Sequence, residues 1–308
     1  SSTGDKSIIV AVLDEGVMVE HPDLKNSMWV NEGEVYRSKQ DNDGNGYKGD
    51  VYGYNFVFET GVISWDDIND TGHGTHVAGV IAAQNNNGIG ISSIAGGNGD
   101  IPGVKIMSCQ IFSGNTVSNS LATVRAIKYA ADNGAVICQN SWGYTAGTIS
   151  ETDWKNGTYS ALTRAIQYFN KYAGLDENGN QTGPMAGGIV VFAAGNDASN
   201  ENCYPAADDN VVSVGALSYL GTPSYYTNYG KWVSMSAPGG DLMLSNAYGG
   251  VYSTSVAADG GSAYEGIQGT SMACPHVSGA CALAISYYYG AEKRKGLTGE
   301  MLRQALLS

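Results

Sequence analysis

Apolar residues gather in five short runs along the chain, at positions 8–13, 104–111, 135–139, 189–194 and 211–216. Runs of this length between turn-forming stretches read as strands buried on both faces, the condition of a parallel sheet covered by helices. Between them the spacing changes. In 118–132, Leu121, Val124, Ile127 and Ala131 recur at helical intervals, and Gly134 follows where a helix cap is expected. Segments 77–83 and 159–172 read as helices in the same way, and 144–188 as a longer connection carrying its own helix. Strand and helix thus alternate, which predicts an α/β fold of three α/β/α layers around a mainly parallel central sheet. No internal repeat or compositional shift interrupts the pattern, so 1–308 is expected to form a single domain.

Composition narrows the setting. The 308 residues are 43% hydrophobic, enough to bury one large core. Acidic residues outnumber basic ones 29 to 16, a formal charge of −13 that disfavours nucleic acid or an anionic membrane as partner. No apolar stretch is long enough to span a bilayer, and Ser1-Ser2-Thr3-Gly4-Asp5 lacks the apolar core of a signal peptide, so a mature or trimmed form is expected. With 15% charged residues, 43 glycines and 20 tyrosines, the surface chemistry is polar but weakly charged, which suits a secreted or otherwise extracytoplasmic protein. Four of the five cysteines (Cys109, Cys138, Cys274 and Cys281) lie in apolar runs as small hydrophobes, and no disulfide framework is read.

Sheets of this class collect ligands beyond the carboxyl ends of their strands. Asp14 ends the first predicted strand, Asn140 to Gly143 the third, and Asn196 follows the fourth. Two further segments add chemistry: Gly72-His73-Gly74-Thr75-His76 and Gly269-Thr270-Ser271-Met272-Ala273-Cys274-Pro275-His276. A serine hydroxyl becomes a useful nucleophile when an imidazole removes its proton, and the imidazole needs a carboxylate to fix its tautomer. Asp14, His73 and Ser271 supply that set. Thr270 is expected as the N-cap of a helix whose first turn holds Ser271 and aims free N–H groups at a developing oxyanion. Pro275 cannot donate to the Ser271 carbonyl, so the helix is expected to bend there. His21, His76 and His276 read as structural. Two rivals stand beside this set: His73 and His76 as metal ligands, although no HExxH pattern accompanies them, and Cys274 as an alternative nucleophile one turn past Ser271.

In order and local context these segments resemble the subtilisin-like serine proteases, the subtilases, over about residues 7–306. The resemblance implies a serine endopeptidase that forms an acyl-enzyme on Ser271, with His73 as general base and acid, Asp14 orienting it, and Asn196 as an oxyanion donor. It also implies that Asn140-Ser141-Trp142-Gly143 pairs with an extended polypeptide substrate, with 114–120 on the other side. The pocket for the residue before the scissile bond would be walled by Ser141, Trp142, Gly143, Ala193 and Gly195, with Cys203 at its floor and Asp197 at its rim. A buried thiol unrelated to substrate is the competing reading of Cys203. The family further implies a propeptide, hence a zymogen, and a C-terminal continuation beyond Ser308, either removed or present as a separately cleaved chain. A catalytically dead scaffold using the same cleft is the rival from another class, and an esterase or transpeptidase the rival among enzymes.

Asp41-Asn42-Asp43-Gly44-Asn45-Gly46 places side-chain oxygens at alternate positions and then turns on glycine, like the first half of an EF-hand loop. Tyr52 stands where the loop's closing glutamate belongs, and Asp50 is the candidate substitute. A structural Ca²⁺ held by Asp41, Asp43, Asn45 and Asp50 and a plain solvated turn are both open. The family resemblance implies a second calcium site at Asp23 and Asn87 with the carbonyls of Asn85, Ile89 and Ile91.

Overall fold

The computed structural model describes residues 3–308. In chain order the elements are β1 (Ile9–Glu15), β2 (Gly53–Asn55), α1 (His73–Ala82), β3 (Lys105–Ser113), β4 (Thr116–Val117), α2 (Ser120–Asp132), β5 (Ile137–Asn140), α3 (Glu151–Asn156) and α4 (Ser160–Tyr172). They continue with β6 (Ile189–Ala193), β7 (Val212–Leu217), β8 (Met235–Pro238), α5 (Leu242–Ser245), β9 (Val251–Val256), β10 (Ser262–Ile267), α6 (Thr270–Tyr289) and α7 (Gly299–Leu307). The central sheet runs β2-β3-β1-β5-β6-β7-β8 with every neighbour parallel, while β4 turns back antiparallel on β3. Strands β9 and β10 form a separate antiparallel hairpin.

Successive residues of a strand face opposite sides of its sheet, and β1 uses both. Val10 and Val12 join Val77 and Ile81 of α1 and Val277 and Ile285 of α6 in one core. Ala11 and Leu13 join Ile127 and Tyr129 of α2 and Ile166 and Phe169 of α4 in the other. Burial on both faces explains why the strand segments read as unbroken apolar runs.

Helix α2 is capped by the Asn119 side chain, which accepts the Ala122 N–H at 2.9 Å, and Gly134 follows its end at φ +90°. Two helix starts differ from expectation. Helix α1 begins at His73, four residues before the predicted 77, because its first turn is His-Gly-Thr-His and presents no apolar stripe. Helix α6 begins with Thr270 inside it and Gly269 at the cap position, so Thr270 is not the N-cap. Strands β2 and β8 and the β9–β10 hairpin had no counterpart in the apolar pattern.

Candidate active site

Strand β1 delivers Asp14 to its carboxyl end, almost fully buried. Helix α1 starts opposite with His73. The approach is close: a Cβ on Gly74 would stand 2.2 Å from the Glu15 carbonyl oxygen, so only glycine lets the first turn of α1 close on the end of β1. His73 Nδ1 donates to Asp14 Oδ1 at 2.7 Å, which fixes the tautomer and leaves Nε2 free to take a proton. Asp14 Oδ1 also accepts the Glu15 N–H at 2.7 Å, while Oδ2 is buried without a partner. Desolvation works against a charged imidazole, but the charge and hydrogen bond of Asp14, with Glu15 behind it, prevail and hold the His73 pKa above the ordinary histidine value.

Ser271 sits in the first turn of α6, where backbone N–H groups have no carbonyl upstream to take them. Its hydroxyl donates to the Ser141 carbonyl at 3.1 Å and is not hydrogen-bonded to His73 in this conformation. Rotation of one side-chain torsion redirects a serine hydroxyl, and catalytic hydrogen bonds often tighten only with substrate bound. Pro275, inside α6, cannot supply the helical N–H to the Ser271 carbonyl, and the Ser141 hydroxyl fills the place at 2.7 Å. Ser141 is held in turn: Gln139, fully buried, donates Nε2 to Ser141 Oγ at 2.8 Å and accepts from Ser278 Oγ on α6 at 2.5 Å. Asn196 places its oxygen on α6, accepting the Thr270 N–H and hydroxyl at 2.9 Å each, so its amide nitrogen is the end left for a ligand.

The walls predicted for a substrate pocket come together here. Ser141, Trp142, Gly143, Ala193, Gly195 and Cys203 line one cavity of ≈ 250 Å³ that also touches Asn196, Asp197 and Ser271. Trp142 packs edge-on against Phe192 and Phe112, with ring centroids 5.1 and 6.2 Å apart. Cys203 points its thiol at the Tyr144 carbonyl, 3.0 Å away, and burial pushes its pKa up to about 11.

The other histidines have structural duties. His76 donates Nε2 to the Val251 and Glu265 carbonyls at 3.1 Å each, and His276 donates Nδ1 to the Met272 carbonyl at 2.8 Å. His21 bonds the Ala263 carbonyl at 3.0 Å. His76 Nδ1 is buried without a partner, and among the described residues no third metal-ligating side chain joins His73 and His76. Cys274 is fully buried with its thiol pushed up to about 12 and aimed at Gln139, a packing residue and not a nucleophile. All five cysteines are free.

The acidic loop is arranged differently from its sequence reading. Asp41 and Asp43 meet Glu34, with one carboxylate oxygen of each within 4.8 Å of the others. Asp50 faces inward, accepting Tyr129 O–H at 2.7 Å and the Asn45 amide at 3.0 Å, so Asn45 and Asp50 serve each other while Glu34 is the acid that joins Asp41 and Asp43. Glu34 lies seven residues before the motif, outside any EF-hand spacing, and no sequence signal pointed to it. At the second expected site, Asp23 is met by donors: the Asn87 amide at 2.7 Å, the Ile91 N–H at 3.0 Å and the Tyr264 hydroxyl at 3.3 Å. Asn85 and Asn87 direct their side-chain oxygens to the N–H groups of Ser93 and Ile89. Hydrogen bonds from these donors close the loop around the buried Asp23 carboxylate.

A family model described as "Subtilase family" matches residues 5–308. A thermophilic serine proteinase from Bacillus sp. strain AK1 is 32% identical over 90% of this chain, which spans 52% of that protein. Thermitase from Thermoactinomyces vulgaris is 30% identical over 90% of the chain, which spans 74% of it. The chain therefore spans between about half and three-quarters of the length of these relatives. The crystal structure of a lanthipeptide protease superposes with a TM-score of 0.70 at 25% identity, covering 98% of this chain and 80% of its own. A shared fold and a family match along nearly the whole chain lead to one conclusion: the protein belongs to the subtilase family of serine proteases.

Proposed function

We propose that the protein is a serine endopeptidase acting through Asp14, His73, Ser271 and Asn196. The observation that carries this reading is the 2.7 Å Asp14–His73 pair at the end of β1, set beside the cavity that Ser271 lines. In the proposed reaction His73 Nε2 takes the Ser271 proton as Oγ bonds the scissile carbonyl carbon. The carbonyl oxygen becomes an oxyanion held by Asn196 Nδ2 and the Ser271 N–H, and the imidazolium is stabilised by Asp14. His73 then protonates the leaving amine, which departs as the C–N bond breaks and leaves an ester on Ser271. Water repeats the sequence, giving up its proton to His73 and releasing the acid. The segment 141–143 would hold the peptide extended, with Ala193, Gly195 and Cys203 around the preceding side chain.

Labelling with a fluorophosphonate followed by peptide mapping tests the assignment. Modification is expected at Ser271 alone, and cleavage of a peptide library is expected to stop in Ser271→Ala. Modification at Cys274, or full turnover by Ser271→Ala, would overturn it.

Three finer points belong to the same reading. Glu34, Asp41 and Asp43 form a cation site suited to Ca²⁺, supported by their close approach and by the absence of a lysine or arginine bridge to them among the described residues. Residues 1–308 act as one catalytic unit, supported by two cores built on opposite faces of one sheet. Removal of a propeptide and an extracytoplasmic setting belong to the same reading, supported by family membership and by the weakly charged composition.

A further inference from the structure

The strand that carries Asp14 carries a second buried acid that the reaction above does not use. Glu15 follows Asp14 directly and is only 8% exposed. Neighbouring residues of a strand face opposite sides, yet both carboxylates reach α1. A register shift between Asp14 and Glu15 in the β1–β3 pairing makes this possible, because a bulge re-aims the side chains on either side of it.

The Glu15 carboxylate is saturated by the segment leading into α1. Oε2 accepts the His73 N–H at 3.0 Å, the Thr71 N–H at 3.1 Å and the Thr71 hydroxyl at 3.1 Å, and Oε1 is also within reach of Thr71. The N-cap position of α1 is Gly72, which has no side chain to cap the helix. Glu15 thus acts in trans as the missing cap, and the N–H it holds belongs to His73 itself. Placing two carboxylates side by side in a buried corner costs free energy through mutual repulsion and lost hydration. A helix cap alone does not call for that cost, since serine, threonine or asparagine caps helices without a charge.

We propose that Glu15 is a positioning residue for His73: its carboxylate anchors the backbone on which the base is mounted and places a second negative charge beside the imidazolium formed during the reaction. Asp14 fixes the ring through Nδ1, and Glu15 fixes the main chain beneath it. The backbone N–H groups of Thr71 and His73 both donate to Glu15, which favours its ionised form. Its pKa is raised by burial and by Asp14, opposed by the hydrogen bonds from Thr71 and His73, and the charge of Glu15 adds to that of Asp14 in raising the His73 pKa. Other ionisable groups on the elements packed here include His76 on α1, Cys109 on β3, Cys138 on β5, Cys274 and His276 on α6, Asp66, Asp67 and Asp70 in the preceding loop and Glu265 on β10.

This inference rests on the reading of His73 as general base, and its test is separable from that reading. For Glu15→Gln, the acidic limb of kcat/KM against pH is expected to move about 0.5 to 1 unit lower, with kcat down about tenfold and KM little changed. Glu15→Asp keeps the charge and is expected to leave the limb within about 0.2 units of the parent, an allowance for residual displacement of the charge. A limb unmoved in Glu15→Gln, or moved equally in both variants, would reduce Glu15 to a helix anchor and overturn the proposal. Should Glu15→Gln not fold, carboxylate and imidazole titrations followed by NMR in Ser271→Ala still decide. Glu15 is expected to be ionised throughout the range in which His73 titrates, and a Glu15 that titrates with or above His73 would defeat the proposal. Failure of the parent protein to label at Ser271 would instead defeat the base assignment itself.

Discussion

Asn196 divides its amide between two tasks, holding Thr270 with its oxygen and keeping its nitrogen for the cleft. Asn196→Ala is expected to lower kcat by about 10²–10³, the size found when subtilisin loses one such donor, with KM nearly unchanged because the bond reaches its best length only to the oxyanion. Asn196→Asp separates the tasks: it retains the oxygen for Thr270, lacks the donor, and is expected to be as slow as the alanine variant. Near-normal kcat in Asn196→Asp would assign Asn196 to holding α6 in place. Single residues were legible in this chain where the chemistry is written in adjacent positions. Asp14, His73 and Ser271 each sit in a distinctive local segment, whereas Glu34 meets Asp43 across nine positions and Glu15 meets Thr71 across 56, and no local spacing announces either.

At the scale of elements, the apolar pattern found the strands buried on both faces and failed for the β9–β10 hairpin, for a physical reason. Its buried residues are Ser253, Thr254 and Ser255; the first two bond α1, Ser253 Oγ to the His76 carbonyl at 2.8 Å and Thr254 Oγ1 to the Thr75 carbonyl at 2.7 Å, and Ser255 bonds Glu265 at 3.1 Å. A polar seam of this kind has no hydrophobic period to read. His76 completes the seam by donating to both strands, and burial depresses its pKa from 6.5 to about 4. The unfolded chain therefore binds the proton more readily than the folded one. Stability from this seam is full above about pH 6.5 and is lost as pH falls from there toward about 4, in the same direction as the lowered values of His21 and His276. Denaturant unfolding of Ser271→Ala, which cannot digest itself, is expected to show that slope, and adding His76→Gln is expected to flatten part of it. An unchanged slope would place the acid sensitivity elsewhere.

Across the whole molecule, the charge of −13 makes the packing of carboxylates the main electrostatic cost, and the Glu34, Asp41 and Asp43 cluster is where a cation offsets it most directly. Calcium at a hundredfold above Kd is expected to stabilise the fold by about 2.7 kcal/mol, read as a rise in Tm that chelator reverses. Asp41→Asn with Asp43→Asn is expected to abolish that response while leaving Ser271 labelling intact. Identical melting with and without chelator would make the cluster a solvated turn. The sheet that carries this loop also decides how the cleft behaves, through the single hydroxyl of Ser141 that closes the gap left by Pro275. One wall of the pocket and the nucleophile's helix are pinned together at this hydroxyl, next to the Gln139–Ser278 bond. A change of taste in the pocket, whether by drift or by design, therefore pulls on the blade as well, and variants at 141–143 made to accept a different side chain should show their penalty in turnover before they show it in affinity.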